Sequence, residues 1–227
     1  MKTKIIGYTA AGSLLILILC QSIIIPSFFM PFFHREFQRL GVAETIKVEY
    51  DELIEVTIKL LDYMRGQRDT IEDITAVVAG EERYFFSERE VRHMVDVRFL
   101  YDLLFFVRNM ALVLFVSACI TLVCLKEKLL LILARTSRQV FIGFLALVTL
   151  LAVIISIDFD RAFIRFHLIF FDNDYWWLDP RVDLLINMVP LEFFINISIF
   201  IGAILVGIPI LLIGASTIYL YGDKSKC

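Results

Sequence analysis

Four stretches of this chain are long and apolar enough to cross a hydrocarbon core of about 30 Å, which takes about 20 helical residues. They run from Ile5 to Phe29, from about Leu103 to Leu125, from about Val140 to Ile157, and from about Phe193 to Tyr221. Lipid offers no partner to a backbone N–H or C=O, so each continuous run must satisfy itself as a helix. Composition agrees: 59% of residues are hydrophobic, 21% are charged and mean hydropathy is +0.78. Soluble domains carry roughly 45–50% apolar residues. Disordered, nucleic-acid-binding and secreted disulfide-framework proteins are thereby excluded. With 22 Lys and Arg against 25 Asp and Glu, the net charge of −3 is too even for a polyanionic partner. The expected class is an all-α integral membrane protein, a single membrane domain over residues 1–227 with four transmembrane helices.

Lys2 and Lys4 precede the first run, as in a signal peptide. The run is longer than the ~7–15 residues of a signal core and has no small-x-small cleavage site, so a retained anchor is expected. In the fourth run Pro209 removes a backbone donor and should kink the helix. Ala203, Gly207 and Gly214 offer that helix a small-residue packing face. The short basic segments alternate with the runs. Lys2 and Lys4 come first, Lys126, Lys128, Arg135 and Arg138 lie in the 126–139 loop, and Lys224 and Lys226 follow the fourth run. The positive-inside rule puts these, and both termini, in the cytoplasm. The segments 30–102 and 158–192 then form a small extracellular cap, and Arg108 would snorkel to the outer headgroups. Cys20, Cys119 and Cys124 lie in runs and Cys227 ends the sequence, so no outer disulfide is expected. Cys227 also lacks the four-residue context of a prenylation box.

Segment 30–102 is large enough for a cap and too small for an independent domain with its own core. From Asp51 to Arg65, Leu53, Val56, Leu60, Leu61 and Met64 recur at helical spacing, with Gly66 as the stop. Ile71 to Val78 is apolar and reads equally as helix or strand. Ser87-Glu88-Arg89-Glu90 is a capping box, opening a helix that should run past His93 and Asp96 into the second span. Segment 158–192 is rich in aromatic residues. Tyr175, Trp176 and Trp177 suit an interfacial belt, which leaves the histidine among the rings unexplained.

All three histidines, His34, His93 and His167, fall in or beside the outer segments. A histidine near a membrane interface is commonly a polar cap, and His34 is read as structural or peripheral. His93 and His167 each lie near a predicted membrane boundary. On a helix, Glu90 or Asp96 can reach the His93 imidazole and fix its tautomer, although such charges also serve as ordinary surface pairs. His167 shares a helical face with Asp160, Phe163, Phe170, Phe171 and Asp174; among rings a neutral imidazole is favoured and can act as a base. Ser87 is the only outer serine, there is no outer cysteine, and no Gly-x-Ser-x-Gly occurs. A covalent serine or cysteine mechanism therefore lacks its nucleophile. No His-x-x-x-His spacing supports a metal site, and Asp172-Asn173-Asp174 lacks the Gly and Glu of a calcium loop. No metal or other cofactor is expected.

Phe86-Ser-Glu-Arg-Glu-Val-Arg-His-Met-Val-Asp-Val and Phe166-His-Leu-Ile-Phe-Phe carry a resemblance. With Trp177-Leu-Asp-Pro-Arg-Val-Asp, Pro190 and Phe193-Phe194, they are similar to the lipoprotein intramolecular transacylase family of Gram-positive bacteria. The four-span plan with a cap after the first span matches over essentially the whole chain. The resemblance implies that His93 and His167 are catalytic. It implies a diacylated lipoprotein substrate in the membrane lipid, with no obligatory protein partner. The α-amine of the substrate's diacylglyceryl-cysteine would take the sn-2 acyl chain, leaving a lyso-form lipoprotein. Phe163, Phe170, Phe171 and Trp177 are expected to line the substrate pocket, with Glu90, Asp96, Asp160 and Asp174 as supporting carboxylates. The competing classes are a four-span transporter subunit and a membrane scaffold or sensor. The first expects ionisable groups within the spans, which hold almost none besides Arg108.

Overall fold

The computed structural model describes residues 2–224, so Lys226 and Cys227 lie outside the described residues. The chain is 77% helical. The elements in order are α1 (Lys2–Ser27), α2 (Met30–Leu40), α3 (Val42–Ile46), α4 (Tyr50–Met64), β1 (Thr75–Val78) and β2 (Glu81–Tyr84). Then follow α5 (Glu88–Cys124), α6 (Leu129–Ile157), α7 (Phe159–Phe170), α8 (Leu185–Met188) and α9 (Leu191–Lys224). Among the described residues, α1, α5, α6 and α9 are long and apolar enough to cross a membrane. The first turns of α5 carry Glu88, Arg89, Glu90, Arg92, Asp96, Arg98 and Asp102. Charge at that density is costly in hydrocarbon.

The chain divides into two compact units. The first holds α1 up to Ile25, residues 105–158 and α9 from Ile199 onward. Its spans expose broad apolar faces, among them Leu112, Val113, Leu150, Val153, Leu211 and Ile218, as lipid contact demands. Within it α1 meets the start of α6: the Thr3 hydroxyl donates to Glu127 at 3.1 Å and the Tyr8 hydroxyl to Gln139 at 2.5 Å. Gly7 permits this approach, because a Cβ there would fall 2.7 Å from Ile132 and 3.0 Å from Thr136. The glycines of the small-residue face expected on α9 have open space beside them among the described residues. A Cβ at Gly207 or Gly214 would meet no atom within 4 Å.

The second unit comprises residues Pro26–Leu104 and Phe159–Ser198. Its core draws on both segments: Phe33, Phe37, Leu53 and Ile74 come from the first, Leu185, Met188 and Phe193 from the second. Helix α4 buries Leu53, Val56, Leu60, Leu61 and Met64 as its spacing predicts, and Gly66 follows with a positive φ of 74°. The stretch left open at 71–78 resolves into a loop and a strand. Ile71 and Ile74 are buried, and β1 pairs antiparallel with β2, Thr75 opposite Tyr84. This ribbon is the one departure from an all-helical architecture among the described residues.

Candidate active site

The capping box at the start of α5 forms as the sequence predicts. Glu90 accepts from the Ser87 backbone N–H at 2.6 Å, and the Glu90 N–H donates to the Ser87 hydroxyl at 3.3 Å. The other Glu90 oxygen accepts from the Leu185 backbone N–H. The Ser87 hydroxyl donates to Asp183 at 2.8 Å, and Asp183 in turn accepts from the Asp179 backbone N–H. Glu90 and Asp183 are both buried. Burial raises the Glu90 pKa above its ordinary value, making the carboxyl a weaker acid, and the two backbone donors partly offset this. This polar knot ties the start of α5 to the segment before α8, and His93 sits one turn further along.

His93 and His167 are 8% and 7% exposed, with ring centroids 6.0 Å apart. Phe171, also buried, packs against both rings, edge-on to His93 at 5.2 Å and tilted on His167 at 5.5 Å. On the other side His167 meets Phe163 at 4.4 Å and Phe166 at 5.5 Å. Its Nδ1 lies 2.8 Å from the Phe163 carbonyl, one turn back along α7. A carbonyl only accepts, so Nδ1 carries the proton and Nε2 keeps a lone pair. His93 Nδ1 is buried with no hydrogen-bond partner.

Burial, and then the neighbouring His167 ring, push the His93 pKa down to about 4, against a smaller opposing pull from Asp96. Burial also lowers that of His167, and its bond to the Phe163 carbonyl partly restores it. Both rings are therefore neutral at neutral pH, because a charge inside this cage of rings loses its hydration.

The other expected residues divide. Phe163 and Phe171 touch the histidines; Phe170 is 50% exposed and packs on Phe166. Trp177 is 61% exposed and reaches the cluster through Trp176, which stacks on His167 at 4.9 Å and 29°. Among the described residues no carboxylate hydrogen-bonds His93 Nδ1. Glu90 is drawn to backbone donors left over at a helix start, and Asp96 accepts from the Asn173 amide at 2.9 Å. Asp174 pairs with Arg89 at 3.4 Å, and Asp160 is exposed at the start of α7. His34 Nδ1 shares a 2.7 Å hydrogen bond with the Tyr50 hydroxyl, fastening α2 to α4.

Trp176 is the neighbour that sequence reasoning assigned only to the interfacial belt. The loop after α7 has no periodicity from which its direction could be read. Asn173 supplies the direction: its amide holds α5 through Asp96, while its side-chain oxygen accepts from the Tyr175 N–H at 3.0 Å. The turn so made precedes Trp176 directly. Among the described residues no cluster of three metal-ligating side chains occurs.

A family model described as lipoprotein intramolecular transacylase Lit matches residues 8–194. Among solved structures, the membrane-integral lipoprotein intramolecular transacylase Lit from Bacillus cereus is similar at a TM-score of 0.75. That likeness has 23% identity and covers 99% of this chain and 97% of that one. Two further structures of the same protein carry a single histidine replaced by alanine and by arginine, respectively. They match at TM-scores of 0.73, with 23% and 22% identity, covering 100% of this chain and 96% and 95% of theirs. No match exists among curated proteins. At such identities the structures establish a shared fold, whereas the family model spans most of the sequence, both histidines included. The chain therefore belongs to the Lit family of lipoprotein intramolecular transacylases, membrane-integral acyltransferases.

Proposed function

We propose that the protein moves the sn-2 acyl chain of a diacylglyceryl-cysteine lipoprotein onto the α-amine of the same cysteine. The observation that carries this reading is the pair of buried, neutral imidazoles 6.0 Å apart in a cage of rings. The route from the amine through Cα, Cβ, sulfur, the glyceryl carbons and the ester oxygen to the carbonyl closes a medium ring. Such closures are slow unaided, and a confining apolar pocket helps by ordering the chain. Well-oriented intramolecular reactions reach effective molarities of about 10⁵ M or more. Phe163, Phe170, Phe171 and Trp177 are the rings assigned to this ordering, with Asp96 and Glu90 holding the frame.

In the proposed chemistry His167 is the base. Its Nε2 takes the proton that the α-amine loses on attacking the ester carbonyl, and its Nδ1–H keeps the Phe163 carbonyl as a partner for the imidazolium. The C–O bond to the glyceryl group breaks, and the same proton passes to the departing glyceryl oxygen. His93 supplies a neutral N–H donor to that oxygen. Two imidazolium charges so close together are disfavoured, which suits a reaction that needs one proton moved and none gained.

The site is assigned to the extracellular face of the cell membrane. Lys2, Lys4, Lys126, Lys128, Arg135 and Arg138 gather at one end of the spans, and the bond from Thr3 to Glu127 supports the two basic segments being neighbours. Lipid mass spectrometry of a lipoprotein co-expressed with the protein tests the reading. The expected product has an N-acyl group and a free sn-2 hydroxyl. His93→Asn and His167→Asn should each lower its formation at least about 10²-fold. An unmodified lipoprotein overturns the function, and full activity of either variant removes that histidine from the mechanism.

A further inference from the structure

The indole N–H of Trp176 is buried and has no hydrogen-bond partner. Indole nitrogen only donates, and a buried donor without an acceptor weakens the fold that contains it. Native proteins hold few such groups, and each calls for an explanation. Here the ring that bears it stacks on His167 with centroids 4.9 Å apart, so the donor belongs to the immediate surroundings of the assigned base. Resting on the function proposed above, the geometry points to Trp176 as a catalytic residue whose N–H binds the ester carbonyl oxygen as it becomes an oxyanion.

The reaction itself asks for such a group. Attack by the amine nitrogen on the ester carbon moves the carbonyl electron pair onto oxygen, and the pair returns when the C–O bond to glyceryl breaks. The nitrogen that His167 deprotonates is bonded to that carbon in the intermediate. The oxyanion therefore lies within two bonds of an atom in contact with His167, and within reach of a ring stacked upon it. A neutral donor in a water-poor setting stabilises that charge with little reorganisation. Besides His93 Nδ1, already given to the departing oxygen, Arg89 Nε on the same helix is also buried and unpartnered. Its guanidinium is held by Asp174, through both the backbone carbonyl and the carboxylate, and the side chain is 40% exposed. Trp176 has no such tether.

Trp176→Phe separates the N–H from the stack, since a ring remains over His167 while the donor is lost. The full-length protein in detergent micelles is assayed on a synthetic diacylglyceryl-cysteine lipopeptide, with products read by mass spectrometry. Expected is a fall in kcat of about 10²–10³-fold, with KM within about threefold and the shape of the pH profile unchanged. The apparent melting temperature should hold or rise, because an unsatisfied donor has been removed. A native structural hydrogen bond at this nitrogen would give the opposite shift. Benzothienylalanine at position 176 keeps the bicyclic ring and exchanges N–H for sulfur; it should fall as far as the phenylalanine variant. Activity within threefold of the parent in either variant overturns the inference, as does a loss seen only with the smaller ring. A parent protein that leaves the lipopeptide unmodified overturns the underlying function instead, and this inference with it.

Discussion

His93 and His167 are easiest to follow through their protons. Burial lowers the pKa of both rings, that of His93 to about 4, so the proton that limits the proposed reaction is the substrate's. An α-amine loses its proton near pH 7.7–8.0, roughly the free value. The rate should fall about tenfold per pH unit below that, with no second fall near 6.5 from an ordinary histidine. A pH profile of kcat/KM checks this; a break at 6.5 would mean an imidazole that titrates normally. Stability carries the same signature with its own sign. A histidine whose folded pKa lies below its unfolded value of 6.5 contributes fully above pH 6.5, and the contribution is lost as pH falls towards about 4. The melting temperature should drop across that window, and His93→Asn should flatten the slope. Glu90 works the other way. Its raised carboxyl favours the fold at low pH and ceases to do so as pH rises through its folded value. The variant comparison is therefore the discriminating measurement.

Among the elements, the N-terminus of α5 was the most legible, because Ser87 and Glu90 stand at the spacing a reciprocal cap requires. The sequence could not disclose that Glu90 has a second duty. Its other oxygen satisfies Leu185, whose N–H lies far away along the chain and belongs to the segment that precedes α8. Glu90→Gln keeps one acceptor and turns an amide N–H towards one of the two backbone donors. It should destabilise by about 1–3 kcal/mol, read as a lower melting temperature. Its residual activity should recover on cooling, since both carboxylate oxygens serve backbone donors, at Ser87 and Leu185. The β1–β2 ribbon was illegible for a related reason. β2 reads Glu-Glu-Arg-Tyr and is exposed throughout, so it has no buried face to betray an alternating pattern.

For the whole molecule, the first unit rests on close approach between helices. Gly7 stands where any Cβ would press on Ile132 and Thr136. Gly7→Val should cost about 1–3 kcal/mol, seen as reduced yield and a lower melting temperature in detergent. Gly207→Ala meets open space and should be neutral within the chain. The number and helical nature of the membrane segments could be read from the sequence alone. Apolar length and backbone self-sufficiency in lipid are properties of a local run, and no distant contact alters them. The two histidines were likewise singled out by type, position and company. What surrounds them was decided in three dimensions. Trp176 stacks on His167 just beyond the turn by which Asn173 grips α5 through Asp96, and the Glu90 carboxylate answers a backbone N–H from the other segment instead of His93. Those outcomes are competitions among distant polar groups for a few donors and acceptors. A one-dimensional pattern lists the competitors, and only the folded chain selects which of them meet.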